Sequence, residues 1–378
     1  MSPAMRIGAL GFGLIAVCYG LARFALGLFL PQIDAELGLG PTISGVISGG
    51  SFAGYCVAII ASAALTEWLG ARVVAAAAAM VAAIGMAGIA LAPTPILLAV
   101  AVLVAGSSTG LASPPMAAAV EAAVRKGRQD ITNTAINAGT SAGVALSGPV
   151  ALAMAGQWRL AFGLFAVLAA LLALAAARGL PPARRAQGAG GLPAVSSPLL
   201  RLVAASFLMG AASTAVWSFG GQVVAARLGW GPAGTGWLWS CIGAGGIAGA
   251  WAGTLIRRFT LDRVHLAFLG VMSLATLAMG SGFATPAMAL AGGALFGAAY
   301  VTLTGVYLVW GVGLLPDRPA TGLMVGFLTI AIGQTLGAPV FGLLLAGPGA
   351  SLAITCFAVL ALLAGLFRYR AQGKTVPG

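Results

Sequence analysis

The sequence predicts an all-α membrane protein with 12 transmembrane helices in two pseudo-symmetric six-helix bundles, both termini on the cytoplasmic side. Three observations predict it. Of 378 residues, 60% are hydrophobic and only 7% are charged, whereas a soluble domain carries about 25% charged residues. A short pattern recurs at half the chain length: Leu37-Gly38-Leu39-Gly40-Pro41 returns as Leu228-Gly229-Trp230-Gly231-Pro232, shifted by 191 positions. The basic residues fall almost wholly on alternate loops, as they do on the cytoplasmic loops of membrane proteins.

A helix needs about 20 predominantly apolar residues to cross a bilayer core. Runs of that kind lie near 7–30, 42–65, 73–91, 96–118, 131–155 and 159–177, and then near 201–224, 233–256, 264–283, 287–314, 320–346 and 350–368. The first run follows Arg6 and has no small-residue cleavage site, so it reads as a retained helix and not a signal peptide. Pro114-Pro115 should kink or end the fourth span, because proline removes a helix hydrogen bond and crowds the preceding turn. The stretch 178–200 is the only long polar linker. It divides the chain into an N-terminal bundle (1–177), a cytoplasmic linker (178–200) and a C-terminal bundle (201–378).

A second echo supports the duplication: Gly143 through Pro149-Val150 resembles Gly333 through Pro339-Val340, shifted by 190. Sixteen of the 19 Lys and Arg residues then lie on the side shared by the termini and the linker, against Arg159 and Arg227 on the other, with Arg23 inside the first span. That asymmetry puts both ends in the cytoplasm and requires an even number of spans. The 57 glycines and 19 prolines spread through the apolar runs suit close helix contacts in lipid. The run Gly243 to Gly249 lies inside the eighth span, so it reads as a helix-contact face and not a phosphate loop.

Composition excludes several classes of function. The net charge of +12 comes from short basic clusters between apolar runs, not from a stripe with interleaved aromatics, so no nucleic-acid partner is expected. Cys18, Cys56, Cys241 and Cys356 each sit inside an apolar run without a Cys-x-x-Cys pair, and read as small apolar fillers. There is no nucleotide-binding Gly-x-x-x-x-Gly-Lys motif, no Gly-x-Ser-x-Gly elbow and no metal-spaced histidine cluster. No enzymatic activity, catalytic residue, cofactor or metal is expected. Duplicated bundles in membranes move solutes.

The residues that could carry transport are polar ones inside spans, since such groups turn away from lipid toward neighbours or a cavity. Arg23 is the one basic residue within a span, and Tyr19, four residues earlier, shares its face. Arg23 could hold an anionic group in a central cavity, or snorkel outward toward Asp34 or Glu36. Its second-half counterpart by the 191 shift is Thr214, which begins the stripe Thr214, Ser218, Gln222 with Trp217 beside it. Tyr300, Thr304 and Tyr307 share a face of the tenth span, Asn133, Asn137 and Ser141 share one on the fifth, and Gln334 lies within the eleventh. The candidate substrate contacts are therefore Arg23, Tyr19, Asn137, Thr214, Trp217, Gln222, Tyr300, Thr304 and Gln334. All seven carboxylates fall in loops or at span ends. Proton coupling would then use Asp34 or Glu36 at the outer end, Glu121 at the inner end, or no proton at all. His265, beside Arg263 at the start of the ninth span, reads as interfacial.

The architecture of six plus six spans with a basic linker resembles the major facilitator superfamily over essentially the whole chain, and so do several motifs. Members carry Gly-x-Leu-Ala-Asp-Arg-x-Gly-Arg-Arg after the second span; Ala63 to Arg72 here keeps Leu65, an acid at Glu67, Gly70 and Arg72, and lacks the first glycine and central arginine. The resemblance implies that Glu67 and Arg72 help latch the two halves. Gly148-Pro149 is similar to the antiporter motif of the fifth span, although Val150-Ala151 replaces its following glycines. Gln157-Trp158-Arg159 resembles a common family turn, and Gly20 to Phe24 leading to Leu30-Pro31 is similar to a bacterial branch.

The expectation is a secondary active transporter that moves a small organic solute by alternating access, with export of an amphipathic or weakly charged compound favoured. One alternative is uptake or exchange of an organic anion anchored by Arg23; another is a ligand sensor or lipid-flippase-like protein. Asp34, Glu67, Arg72 and Glu121 are the candidates for coupling or gating. Expected partners are a small-molecule substrate, a proton as candidate coupling ion, and membrane lipids, with the chain working as a monomer. Ala-rich spans and 17 Arg against 2 Lys suggest a high-GC bacterial source, hence the bacterial inner membrane.

Overall fold

The structure is a computed structural model and describes residues 2–154, 156–181 and 193–369. No strand occurs among the described residues. The first half of the sequence forms α1 (Pro3–Leu37), α2 (Gly40–Leu69), α3 (Ala71–Leu91), α4 (Pro95–Ala123), α5 (Lys126–Asn137), α6 (Gly139–Ala153) and α7 (Trp158–Gly179). The second forms α8 (Ser197–Trp217), α9 (Gly220–Leu228), α10 (Pro232–Phe259), α11 (Leu261–Gly280), α12 (Pro286–Leu314), α13 (Pro319–Ala346) and α14 (Ala350–Leu366). Most of the expected linker, with Arg184 and Arg185, lies outside the described residues, as do Arg370 and Lys374.

Helix starts follow local chemistry. Ser2, Thr94, Ser196 and Thr285 each accept a hydrogen bond from a backbone N–H three residues on, with a proline at the first or second helical position. The side chain satisfies one orphan donor, and the proline sits where no N–H is needed. The repeated pattern has a structural meaning. Gly38 closes α1 and Gly229 closes α9 with nearly the same left-handed backbone, at φ 63° and 64°, a conformation glycine adopts without a Cβ penalty. Pro41 and Pro232 then open the next helix.

Ten helices among the described residues are long and apolar enough to cross a membrane. The expected span 131–155 is instead two helices: polar α5, with Lys126, Arg128 and Asp130, and apolar α6, meeting at Ala138. The expected twelfth span is α14, apolar but shorter. Large apolar side chains such as Val57, Ile84, Leu171 and Leu274 point outward and remain exposed. On a helix bundle this apolar exterior is a surface for lipid.

In the first half, α2 packs on α4, and α3 on α4 and α7; in the second, α8 packs on α13, and α12 on α10 and α11. Between halves, the main contacts are α2 with α13 and α6 with α10. The second echo is a packing repeat: Gly143 lies against the Ala16 carbonyl and Gly333 against the Phe207 carbonyl, so both members of the pair recur 190 or 191 residues later.

The proline pair does not end α4, which continues from Pro95 to Ala123. Pro115 frees the carbonyl of Leu111 four residues back, and Ser62 Oγ on α2 donates to it at 3.3 Å. A neighbouring helix thus replaces the missing hydrogen bond. The Gly243–Gly249 run is a contact face as expected: Gly243 meets Ala145 and Gly245 meets Ala294. It passes into a 3₁₀ turn, Ala248–Trp251.

Candidate functional site

The centre of α1 is not an α-helix. Ala16–Phe24 winds as a π-helix, a form concentrated at functional positions. It presses against α6, where Gly20 meets the Gly143 backbone so closely that neither position has room for a side chain. Winding wide here turns Tyr19 and Arg23 into the space between the two halves, and leaves the Phe24 carbonyl to accept from Trp239 Nε1 on α10 at 3.2 Å.

That space is a cavity of about 320 Å³. From the first half come Tyr19, Arg23, Tyr55, Ser113, Thr134 and Asn137; from the second, Gly246, Tyr300, Thr304, Phe327 and Gln334. Arg23 is the one charged side chain in its wall. The guanidinium lies over the rings of Tyr55 at 4.6 Å and Phe52 at 4.7 Å, contacts that favour a cation. Its Nη2 donates to Gln334 Oε1 at 2.7 Å, a bond between the halves. Gln334 Nε2 in turn donates to Ser213 Oγ at 3.1 Å and Tyr300 Oη at 3.2 Å. Tyr19 and Ser113 share a hydroxyl–hydroxyl bond of 3.0 Å.

The closure is one-sided. Residues near the linker gather at one end, where Arg72 Nε reaches the Leu180 carbonyl at 2.8 Å. At the far end the halves meet tightly: Gly45 against Ala338, Gly342 against Pro41, and Gly148 against Gly236. Asp34 Oδ2 accepts from Gln222 Nε2 at 2.9 Å across the same seam. The cavity runs from Arg23 toward Thr304, Leu308 and Phe327, that is, toward the linker end of α12 and α13.

Six of the expected contacts therefore come together: Arg23, Tyr19, Asn137, Tyr300, Thr304 and Gln334. Trp217 stands behind them, stacked on Phe24 with centroids 4.0 Å apart and edge-on to Tyr300 at 5.2 Å. The stripe Thr214, Ser218, Gln222 does not form a single face, because α8 ends at Trp217 and α9 begins at Gly220. Thr214 is wholly buried and donates to the Ala211 carbonyl of its own helix, and Gln222 belongs to the far-side seam with Asp34. Arg23 does not snorkel; it is 6% exposed.

The coupling candidates are dispersed. Asp34 also accepts from the Gly40 N–H at 2.7 Å. Glu36 pairs with Arg159 at 2.8 Å and accepts from Trp158 Nε1, within the first half. Arg72 ties α3 to the end of α7, not to the second half, and Glu67 and Glu121 have no side-chain partner among the described residues. His265 is not interfacial: it is fully buried, with Nε2 2.9 Å from Tyr307 Oη. Its helix begins at Leu261, which turns position 265 onto α12. Tyr55, Phe24 and Ser113 escaped the sequence reading. The signal available for Tyr55 was a phenol in mid-span, which needs a polar partner in lipid.

The model of the Major Facilitator Superfamily matches residues 12–337. The chain belongs to that family. It is a multi-pass membrane transporter and not an enzyme. Comparison with curated proteins returned no match. Among solved structures, the chain is similar to an aspartate-to-alanine mutant of the nucleoside transporter NupG, with a TM-score of 0.80, 14% identity, and 97% and 98% of the two chains covered. It is similar to a bacterial homologue of the human lysosomal transporter Spinster in an inward-facing, occupied conformation, with a TM-score of 0.78, 16% identity, and 97% and 96% covered. The xylose transporter XylE of E. coli, in a partially occluded inward-open conformation, has a TM-score of 0.75 and 12% identity over the whole of both chains. At these identities the likeness is one of fold.

Proposed function

We propose that the chain moves a small organic solute by alternating access, with the solute held between two six-helix bundles of 12 crossings against Arg23. The bundles are 1–177 and 201–378, with the linker and both termini in the cytoplasm of a bacterial cell and the chain acting as a monomer in its inner membrane. One observation carries this reading: the single charged wall residue of the central cavity, Arg23 of the first half, bonds at 2.7 Å to Gln334 of the second. A solute that competes for this bond changes how the halves are held together, which is the differential contact a ligand needs to shift a conformational equilibrium.

Tyr19, Asn137, Tyr300 and Thr304 are the further contacts. The far-side seam is the closed gate, with Asp34 and Gln222 as its polar bond. The cavity then faces the cytoplasm, the state that two of the similar structures hold. Export is the proposed direction, which an inward-facing cavity accommodates without deciding it.

The test is flux in sealed proteoliposomes. Arg23→Ala is expected to abolish transport while insertion, yield and the gel-filtration profile stay normal. Unchanged uptake kinetics in that variant would remove Arg23 from the site.

A further inference from the structure

We infer that the cargo is a monoanionic organic acid with a planar apolar body, whose single negative charge takes Arg23 from Gln334 and leaves the loaded carrier neutral. This inference rests on the transport reading and adds to it the charge and shape of the solute.

The charge follows from what surrounds Arg23. All seven carboxylate side chains lie among the described residues, and the one ion pair among those residues is Arg159 with Glu36. Arg23 is nevertheless 94% buried by its 6% exposure. A guanidinium offers five N–H donors. Nη2 is held by a neutral amide, and Nε is buried with no partner. A buried cation without a counter-charge is unfavourable until an anion arrives to offset it. Four rings, those of Tyr55, Phe52, Phe24 and Tyr19, surround the guanidinium as cation–π partners and none carries a charge, and the donors that remain suit the forked geometry of a carboxylate.

Gln334 is built to let go. Its amide N–H groups stay anchored on Ser213 and Tyr300 when its oxygen is displaced. One positive charge lines the cavity, so one negative charge balances it; a dianion would carry a second, unpaired charge into a wall whose other residues are all neutral. Tyr19, Phe24, Tyr300 and Phe327 supply flat apolar surface, and Asn137 and Thr304 offer hydrogen bonds toward the linker end.

With anion bound, the moving barrier carries no net charge at Arg23. Empty, it must enclose a bare cation, which slows the return. Exchange of one anion for another should therefore outrun net flux, and should be insensitive to membrane potential because the loaded form is neutral.

The probes are benzoate and cinnamate, with benzamide and cinnamamide as uncharged isosteres and phthalate as the dianion, applied to the purified full-length protein. The monoanions are expected to raise its melting temperature and to drive counterflow in proteoliposomes, with no response to a potassium–valinomycin potential; the amides and phthalate should do neither at equal concentration. Arg23→Gln should weaken monoanion binding by about 10- to 100-fold, the loss of one charge-assisted contact. Arg23→Lys should keep part of it, which separates lost charge from a lost fold. Amides that bind as tightly as the acids, no effect of either monoanion, or unchanged binding in Arg23→Gln would overturn the inference. Flux of a neutral solute that still requires Arg23 would sink the monoanion and leave the transport reading standing. Monoanion binding without flux of any solute would sink the transport reading instead.

Discussion

At the scale of single residues, the site turns on a cation whose partner is a neutral amide 311 positions away in the chain. Gln334→Glu tests that pairing. The change is close to isosteric and places a carboxylate 2.7 Å from the guanidinium where the amide oxygen stood, so the protein supplies its own counter-charge. The expected outcome is a folded, inserted protein whose flux and benzoate binding fall by at least about tenfold, the worth of a charge-assisted bond now made internally; wild-type flux would show that this bond need not open. Arg23 was legible in the sequence because a lone charge in an apolar run is unfavourable and must have a reason. Gln334 was legible as a polar residue in a span, but its bond to Arg23 was not, since nothing local records a contact between distant helices. The stripe from Thr214 to Gln222 misled for a different reason: a spacing of four predicts a shared face only while the helix continues, and it stops at Trp217.

At the scale of helices, most boundaries followed from caps, glycines and apolar runs, and the departures lie where backbone is bent by its neighbours. The π-helical turn in α1 lies where Gly20 meets the Gly143 backbone of α6, and the division of α5 from α6 occurs where a charged segment meets an apolar one. Proline in α4 was expected to kink or end the helix; the helix runs on, and Ser62 on α2 donates to the carbonyl that Pro115 leaves free. Ser62→Ala is therefore expected to destabilise the protein by about 0.6 kcal/mol and by no more than about 1.7 kcal/mol, the mean and the maximum for side-chain hydrogen bonds between membrane helices. In a Pro115→Ala background, the alanine N–H can satisfy the Leu111 carbonyl, so the same serine change should have almost no effect. Denaturant unfolding in detergent of the four variants gives the coupling; additive effects would mean that Ser62 acts elsewhere.

At the scale of the whole molecule, the duplication was the most legible feature. Gly38 and Gly229 share a backbone conformation, and Gly143 on Ala16 is repeated by Gly333 on Phe207. Which end is sealed was not legible, because a helix sequence does not say whether its near or far end touches a partner. The far side closes through backbone contacts such as Gly45 with Ala338 and Gly342 with Pro41, while the cavity occupies the linker side. Alternating access requires that these two ends trade places. Spin labels at Ala35 and Ala346 report the far end, and labels at Trp68 and Arg258 the linker end, all four positions being exposed. Electron–electron distance measurements in lipid nanodiscs, with and without benzoate, should show a second population in which the far-end distance lengthens as the linker-end distance shortens. Distances that stay fixed, or that lengthen together at both ends, would contradict the rocking of two bundles about Arg23.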